Sequence, residues 1–247
     1  YFRTRTNAQW LFSRKDKHIL LKDFNCIFKD QASKHIEVAD NILNGKIHWA
    51  GEYRDCGYPP NWLEQKPDEE YMAFLNRHFF MVDLGIAYWC TGDEKYAKAC
   101  VDLISDFLDK VAIPDVVTYQ VKNYGFGRSP WLLINTGLRA RMWLSALEYI
   151  IDSPAITSEF IFKLLYGFIH HRAILRYLSP ETHHTAEGNH YLMEMEGLFY
   201  IALMLPELKT SERDKNFSLA QLERCQKVQV LADGVHIEEA PGYHYGC

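Results

Sequence analysis

The run Glu187-Gly188-Asn189-His190-Tyr191 sets an amide beside an imidazole, and 54 residues after Asn189 a phenol follows, Tyr243, in the run Glu238-Glu239-Ala240-Pro241-Gly242-Tyr243-His244-Tyr245. An amide donates in fixed geometry, an imidazole exchanges a proton near neutral pH, and a phenol donates one while staying neutral. Gathered on one scaffold, these groups can take a proton from the carbon beside a carboxylate and break the neighbouring sugar bond. That proton is only weakly acidic, so donors that press harder on the carboxylate as charge develops lower the barrier most. His190 is a candidate either to support the carboxylate or to carry the proton. A phenol with a reference pKa of about 10 donates as it stands, but it needs nearby positive charge to act as the base. Each residue also has a plainer reading: Asn189 as a helix-start residue, His190 as one of eleven histidines, Tyr243 as a loop anchor after Pro-Gly.

Arg77, His78, Arg128 and Arg139 are candidates to bind acidic sugar units, since a guanidinium offers two parallel donors to a carboxylate or sulfate. Helix pairing is the alternative for each. His183 and His184 precede Asn189 in a polar loop and would sit at a rim, while His244 and Glu239 adjoin Tyr243 and would line the groove. Glu187, Glu194 and Glu239 supply carboxylates for a competing hydrolase reading, because hydrolysis commonly uses two; a noncatalytic carbohydrate-binding helical domain is the further alternative. Neighbours on an extended segment point to opposite faces, so Glu238 and Glu239 do not flank one bond. At least one of them is expected to be structural. With no aspartate-rich or His-Cys cluster, neither a metal nor a cofactor is expected.

What positions these groups is helical. Apolar residues recur at three- and four-residue spacing, with almost no strand-like alternation. The pattern predicts helices over about 16–28, 31–43, 68–89, 94–111, 131–151, 158–178, 188–205 and 218–231, with an aromatic loop over 47–67 and a short segment at 235–239. Asn44-Gly45 and Gly92 mark helix ends, Ser129-Pro130 and either Thr157 or Ser158 helix starts. From the third helix on, starts near 69, 94, 131, 158, 188 and 218 lie roughly 25 to 37 residues apart without self-similarity, which fits a curved array of helical hairpins rather than a regular solenoid. The fold class is therefore all-α, with residues 1–60 an extension and 61–247 the core of one helical domain.

Composition narrows the partners. The formal charge of -5 and scattered Lys and Arg argue against a broad nucleic-acid face. No apolar run is long enough to span a membrane. Six widely spaced cysteines without a Cys-x-x-Cys pair read as mostly free thiols. Six Trp, fifteen Tyr and fourteen Phe suit a large core or a groove that stacks on sugars.

Four segments together resemble the N-terminal helical domain of the heparinase II/III family of heparan-sulfate and alginate lyases. They are Leu75-Asn76-Arg77-His78 with the run Asp83 to Ala97; Asn135-Thr136-Gly137-Leu138-Arg139 with Trp143 and Ala146-Leu147-Glu148; Glu187 to Leu192 with Gly197-Leu198 and Pro206-Glu207; and Gln229-Val230-Leu231 with Asp233-Gly234-Val235 and Glu238 to His244. The resemblance implies an (α/α) toroid whose groove binds an acidic, uronate-containing polysaccharide for β-elimination. It implies Asn189 as the carboxylate clamp, Tyr243 as the catalytic acid and in some members also the base, and His190 as an assisting group. It further implies an incomplete toroid here, with a β-sandwich domain of the same polypeptide expected downstream of Cys247. A periplasmic or secreted bacterial location follows from the same likeness.

Overall fold

The structure, a computed structural model, describes residues 1–6, 12, 14–28, 30–66, 68, 70–116 and 129–238. Helix α1 (Lys17–Ile27) and helix α2 (Gln31–Leu43) open the chain, and Gly45, with φ +76°, ends α2 as its Asn-Gly pair predicts. The next stretch departs from expectation. Within the predicted loop, β1 (Lys46–Trp49) pairs antiparallel with β2 (Glu52–Asp55), Trp49 opposite Glu52. Ala50 and Gly51 both take positive φ, 52° and 86°, the backbone a two-residue hairpin turn needs. Ile47 and Trp49 point inward while their neighbours stay exposed; four-residue strands are too short for that alternation to stand out in sequence.

The predicted helix over 68–89 is two helices, α3 (Glu70–Arg77) and α4 (Phe80–Thr91). The break falls at His78, whose φ of +58° lies in the left-handed region. Its ring is fully buried, stacked 4.7 Å from Trp62, and its Nδ1 accepts a 2.8 Å hydrogen bond from Trp143 Nε1. Tertiary burial of one imidazole outweighs local helix continuity. After Gly92, left-handed at φ +70°, Asp93 caps α5 (Glu94–Lys110) by accepting from the Lys95 N–H.

Helix α6 (Leu133–Ile150) leads to α7 (Ser158–Tyr177), capped as expected by the Thr157 hydroxyl, which accepts from the Phe160 N–H. A single-turn helix α8 (Ser179–Thr182), absent from the sequence reading, precedes α9 (Asn189–Met204) and α10 (Ser211–Gln229). Ser218, expected to open α10, lies inside it and donates to the Asp214 carbonyl at 2.7 Å. This back-bonding is a common alternative to capping for a helical serine.

The pairs α4/α5, α6/α7 and α9/α10 form antiparallel hairpins. Their first helices, α4, α6 and α9, pack side by side, and α5, α7 and α10 back them. A buried Arg172–Asp214 pair joins α7 to α10. This two-layered helical array agrees with the predicted fold class. The α6–α9 crossing is fixed by two glycines: a Cβ on Gly197 would lie 2.4 Å from the Gly137 carbonyl oxygen, and one on Gly137 would lie 2.8 Å from the Glu194 Cα. Backbone therefore meets backbone, and the depth at which α9 sits against α6 is set there. That contact determines where the first turn of α9 emerges.

Candidate active site

Asn189 is the first residue of α9, with Gly188 in extended backbone before it. Two carbonyls of the preceding loop are held from α10: Gln229, its last residue and buried, donates through Nε2 to the oxygens of Ala186 at 2.8 Å and Gly188 at 3.0 Å. Beyond α10 the chain reverses at Asp233-Gly234, Gly234 with φ +87°. Val230 then bridges His236 antiparallel, with Ile237 N–H donating to Gln229 O at 2.7 Å. This small hairpin returns Glu238 to the start of α9, where its Oε1 accepts from the Asn189 N–H at 3.3 Å. Free N–H groups and the positive end of the helix dipole make that point favourable to a carboxylate. Glu238, the last described residue, thus stands beside Asn189.

His190 follows on the same turn. Its ring stands edge-on to His183, centroids 6.4 Å apart. Burial is the main influence holding its pKa below the ordinary imidazole value, helped by the positive charges of His183 and Arg77 and opposed by Glu238. The ring is therefore neutral near pH 7 and able to accept a proton. Arg77 ends α3 and is tied to α6 through Nε, which donates to Asn135 Oδ1 at 3.2 Å. Its guanidinium also lies 5.1 Å from the Phe74 ring. Three elements thus bring Asn189, His190, Arg77 and Glu238 to one place.

Two proposed sugar-binding residues are instead core residues. Arg139 is wholly buried: Nε donates to His171 Nε2 at 3.0 Å, and Nη1 donates to the carbonyls of Asn76 at 2.8 Å and Pro130 at 2.7 Å. Its planar group lies 4.4 Å from the Phe107 ring centroid and 4.7 Å from that of Trp131, where desolvated cation–π contact is strongest. His78 is equally buried, and burial together with the Arg139 charge holds its pKa well below the ordinary value. Neither faces a groove. Both tie helices together, and no sequence signal separates this role from sugar binding. Arg128, Glu239, Tyr243 and His244 lie outside the described residues. His184 is exposed, as a rim residue would be.

One arrangement escaped the sequence reading. Glu194, five residues along α9 from Asn189, is 1% exposed, and its Oε1 lies 3.2 Å from His183 Nε2. Burial raises the Glu194 pKa, with His183 and Ser179 acting against it. For His183 burial pulls downward, but the Glu194 carboxylate outweighs it and the net change is upward. The contact depends on α8 folding the loop back over α9, and α8 itself is too short to leave a periodic signal.

A family model described as Heparinase II/III N-terminus matches residues 1–247. The chain belongs to the heparinase II/III family. It is 30% identical over 211 residues to a heparin-sulfate lyase of Pedobacter heparinus, covering 84% of this chain and 30% of that protein. It is 27% identical to a heparin-sulfate lyase of Bacteroides stercoris, covering 99% of this chain and 36% of that one. The chain spans about a third of the length of these curated relatives. Among solved structures, the heparan sulfate lyase HepC of Pedobacter heparinus superimposes with a TM-score of 0.67 at 28% identity, over 86% of this chain and 32% of that one. A heparinase III with methylated lysines gives 0.72 at 23% identity, over the whole of this chain and 38% of the other, and agrees in fold. The family membership places the helical hairpins described above in the N-terminal part of such proteins.

Proposed function

We propose that this chain forms the helical wall of a lyase that cleaves a uronate-containing glycosaminoglycan of the heparan sulfate kind by β-elimination. The observation that carries the reading is the first turn of α9, where His190 feels the charges of Arg77 and Glu238 and the Asn189 N–H meets Glu238. In this reading the Asn189 side-chain amide holds the uronate carboxylate and draws in charge as the C5 proton leaves. His190, neutral and half-buried, supports the carboxylate or accepts that proton. Tyr243 protonates the C4 oxygen as the glycosidic bond breaks and the C4–C5 double bond forms. Arg77 contributes positive charge for the anionic sugar.

The hydrolase alternative draws no support from Glu194, which is buried and paired with His183 rather than open to a glycosidic bond. Alginate as substrate and a periplasmic or secreted location rest on the family likeness alone. Calorimetry with the natural polypeptide that carries this chain tests the carboxylate clamp. Heparan sulfate oligosaccharides should bind at least about tenfold more tightly than carboxyl-reduced ones, the value of one charge-assisted hydrogen bond. Asn189→Ala should erase the difference. Equal binding of both ligands by the parent protein contradicts the clamp.

A further inference from the structure

The Glu194 carboxylate is almost fully enclosed at the α6–α9 crossing, where Gly137 leaves its backbone no clearance. An ionisable group so placed costs stability unless something compensates it. Its ion-pair partner is His183, in the loop between α8 and α9. The same imidazole lies edge-on to His190 on its other side. The His183 imidazole therefore stands within reach of both the buried carboxylate and the imidazole of the first turn of α9.

We propose that Glu194 and His183 are a positioning pair for His190: Glu194 holds a proton on His183 Nε2, and the charged His183 ring keeps His190 unprotonated and set in one orientation. The idea rests on the elimination reading, in which a neutral His190 is needed. A protonated His183 repels a second proton on His190, and Arg77 of α3 adds to that repulsion. Glu238 opposes it from the terminal hairpin. Around Glu194, Ser179 of α8, Tyr191 of α9 and Cys225 of α10 complete the titratable or polar surroundings. None of these three is a cation, and the ion pair that Glu194 makes is with His183.

The pair explains an economy of charge. An acidic polysaccharide raises the affinity of nearby imidazoles for protons as it binds, which would disable a base. A cation anchored from beneath counters this without occupying the place of the sugar. Removing Glu194's charge lets burial return His183 to its neutral form, and His190 then protonates more readily.

The test is a pH titration of His190 by NMR, with selectively labelled histidines in the natural polypeptide and the signal assigned through His190→Gln. In Glu194→Gln and in His183→Gln the His190 midpoint should rise by about half a pH unit or more, as loss of one nearby like charge predicts. The acid limb of kcat/KM on heparan sulfate should move in the same direction. An unmoved midpoint in a folded variant overturns the pair, and should Glu194→Gln fail to fold, His183→Gln decides. Absence of unsaturated product from the parent protein would instead sink the elimination reading, leaving the NMR result to judge the pair alone.

Discussion

In the proposed lyase, Asn189→Ala should lower kcat on heparan sulfate by about 10²–10³-fold, the scale of loss when one preorganised donor to a developing anion is removed. The size follows from where the charge goes. As the C5 proton leaves, the carboxylate gains negative charge, and a donor that strengthens in the transition state lowers the barrier without tightening the ground state equally. KM should therefore change much less than kcat. The fold should not suffer, because the link to Glu238 runs through the Asn189 backbone N–H, which alanine retains. Asn189→Asp should be at least as damaging, since it sets a like charge against the carboxylate. Steady-state kinetics with a melting curve for each variant checks this. A loss smaller than about tenfold, some 1.4 kcal/mol, would remove Asn189 from the chemistry.

Arg139→Met should cost about 3–5 kcal/mol of stability, the scale for breaking a buried charged hydrogen-bonding group. The guanidinium donates to His171 and to the carbonyls of Asn76 and Pro130, thereby joining α6 to α7, α3 and the turn before α6. Methionine fills much of the space beside Phe107 and Trp131 but leaves those acceptors without a donor, each costing about 1–3 kcal/mol. Replacing an ion pair by apolar residues can be neutral; here the partners are neutral acceptors that remain. Lysine should not rescue, because a single ammonium cannot reproduce the planar fork. Denaturant unfolding measures the difference. A variant within about 0.5 kcal/mol of the parent would assign Arg139 no structural role.

The helices were largely legible because their periodicity and punctuation agree: Asn44-Gly45, Gly92 and Thr157 act where their chemistry says they should. Misreadings arose where tertiary contacts overrode local signals. His78 breaks a helix that the pattern continues, because its ring is wanted in the core beside Trp62 and Trp143. The hairpin of β1 and β2 is too short for alternation to show, and Ser218 offers a cap that the chain does not use. In the candidate site, Asn189 and His190 could be paired from sequence because they are adjacent, whereas the nearness of Arg77 to them comes from the fold. Arg139 could not be placed, since a guanidinium reads the same in sequence whether it meets a sugar or an aromatic box. The His183–Glu194 contact required the three-dimensional path of α8 to bring its two members together.

The most direct measurement incubates heparan sulfate with the natural polypeptide and follows chain cleavage together with the ultraviolet absorbance of an unsaturated uronate. The absorbance should rise in step with new chain ends and fall away in Asn189→Ala. New reducing ends without that absorbance would contradict β-elimination at the start of α9.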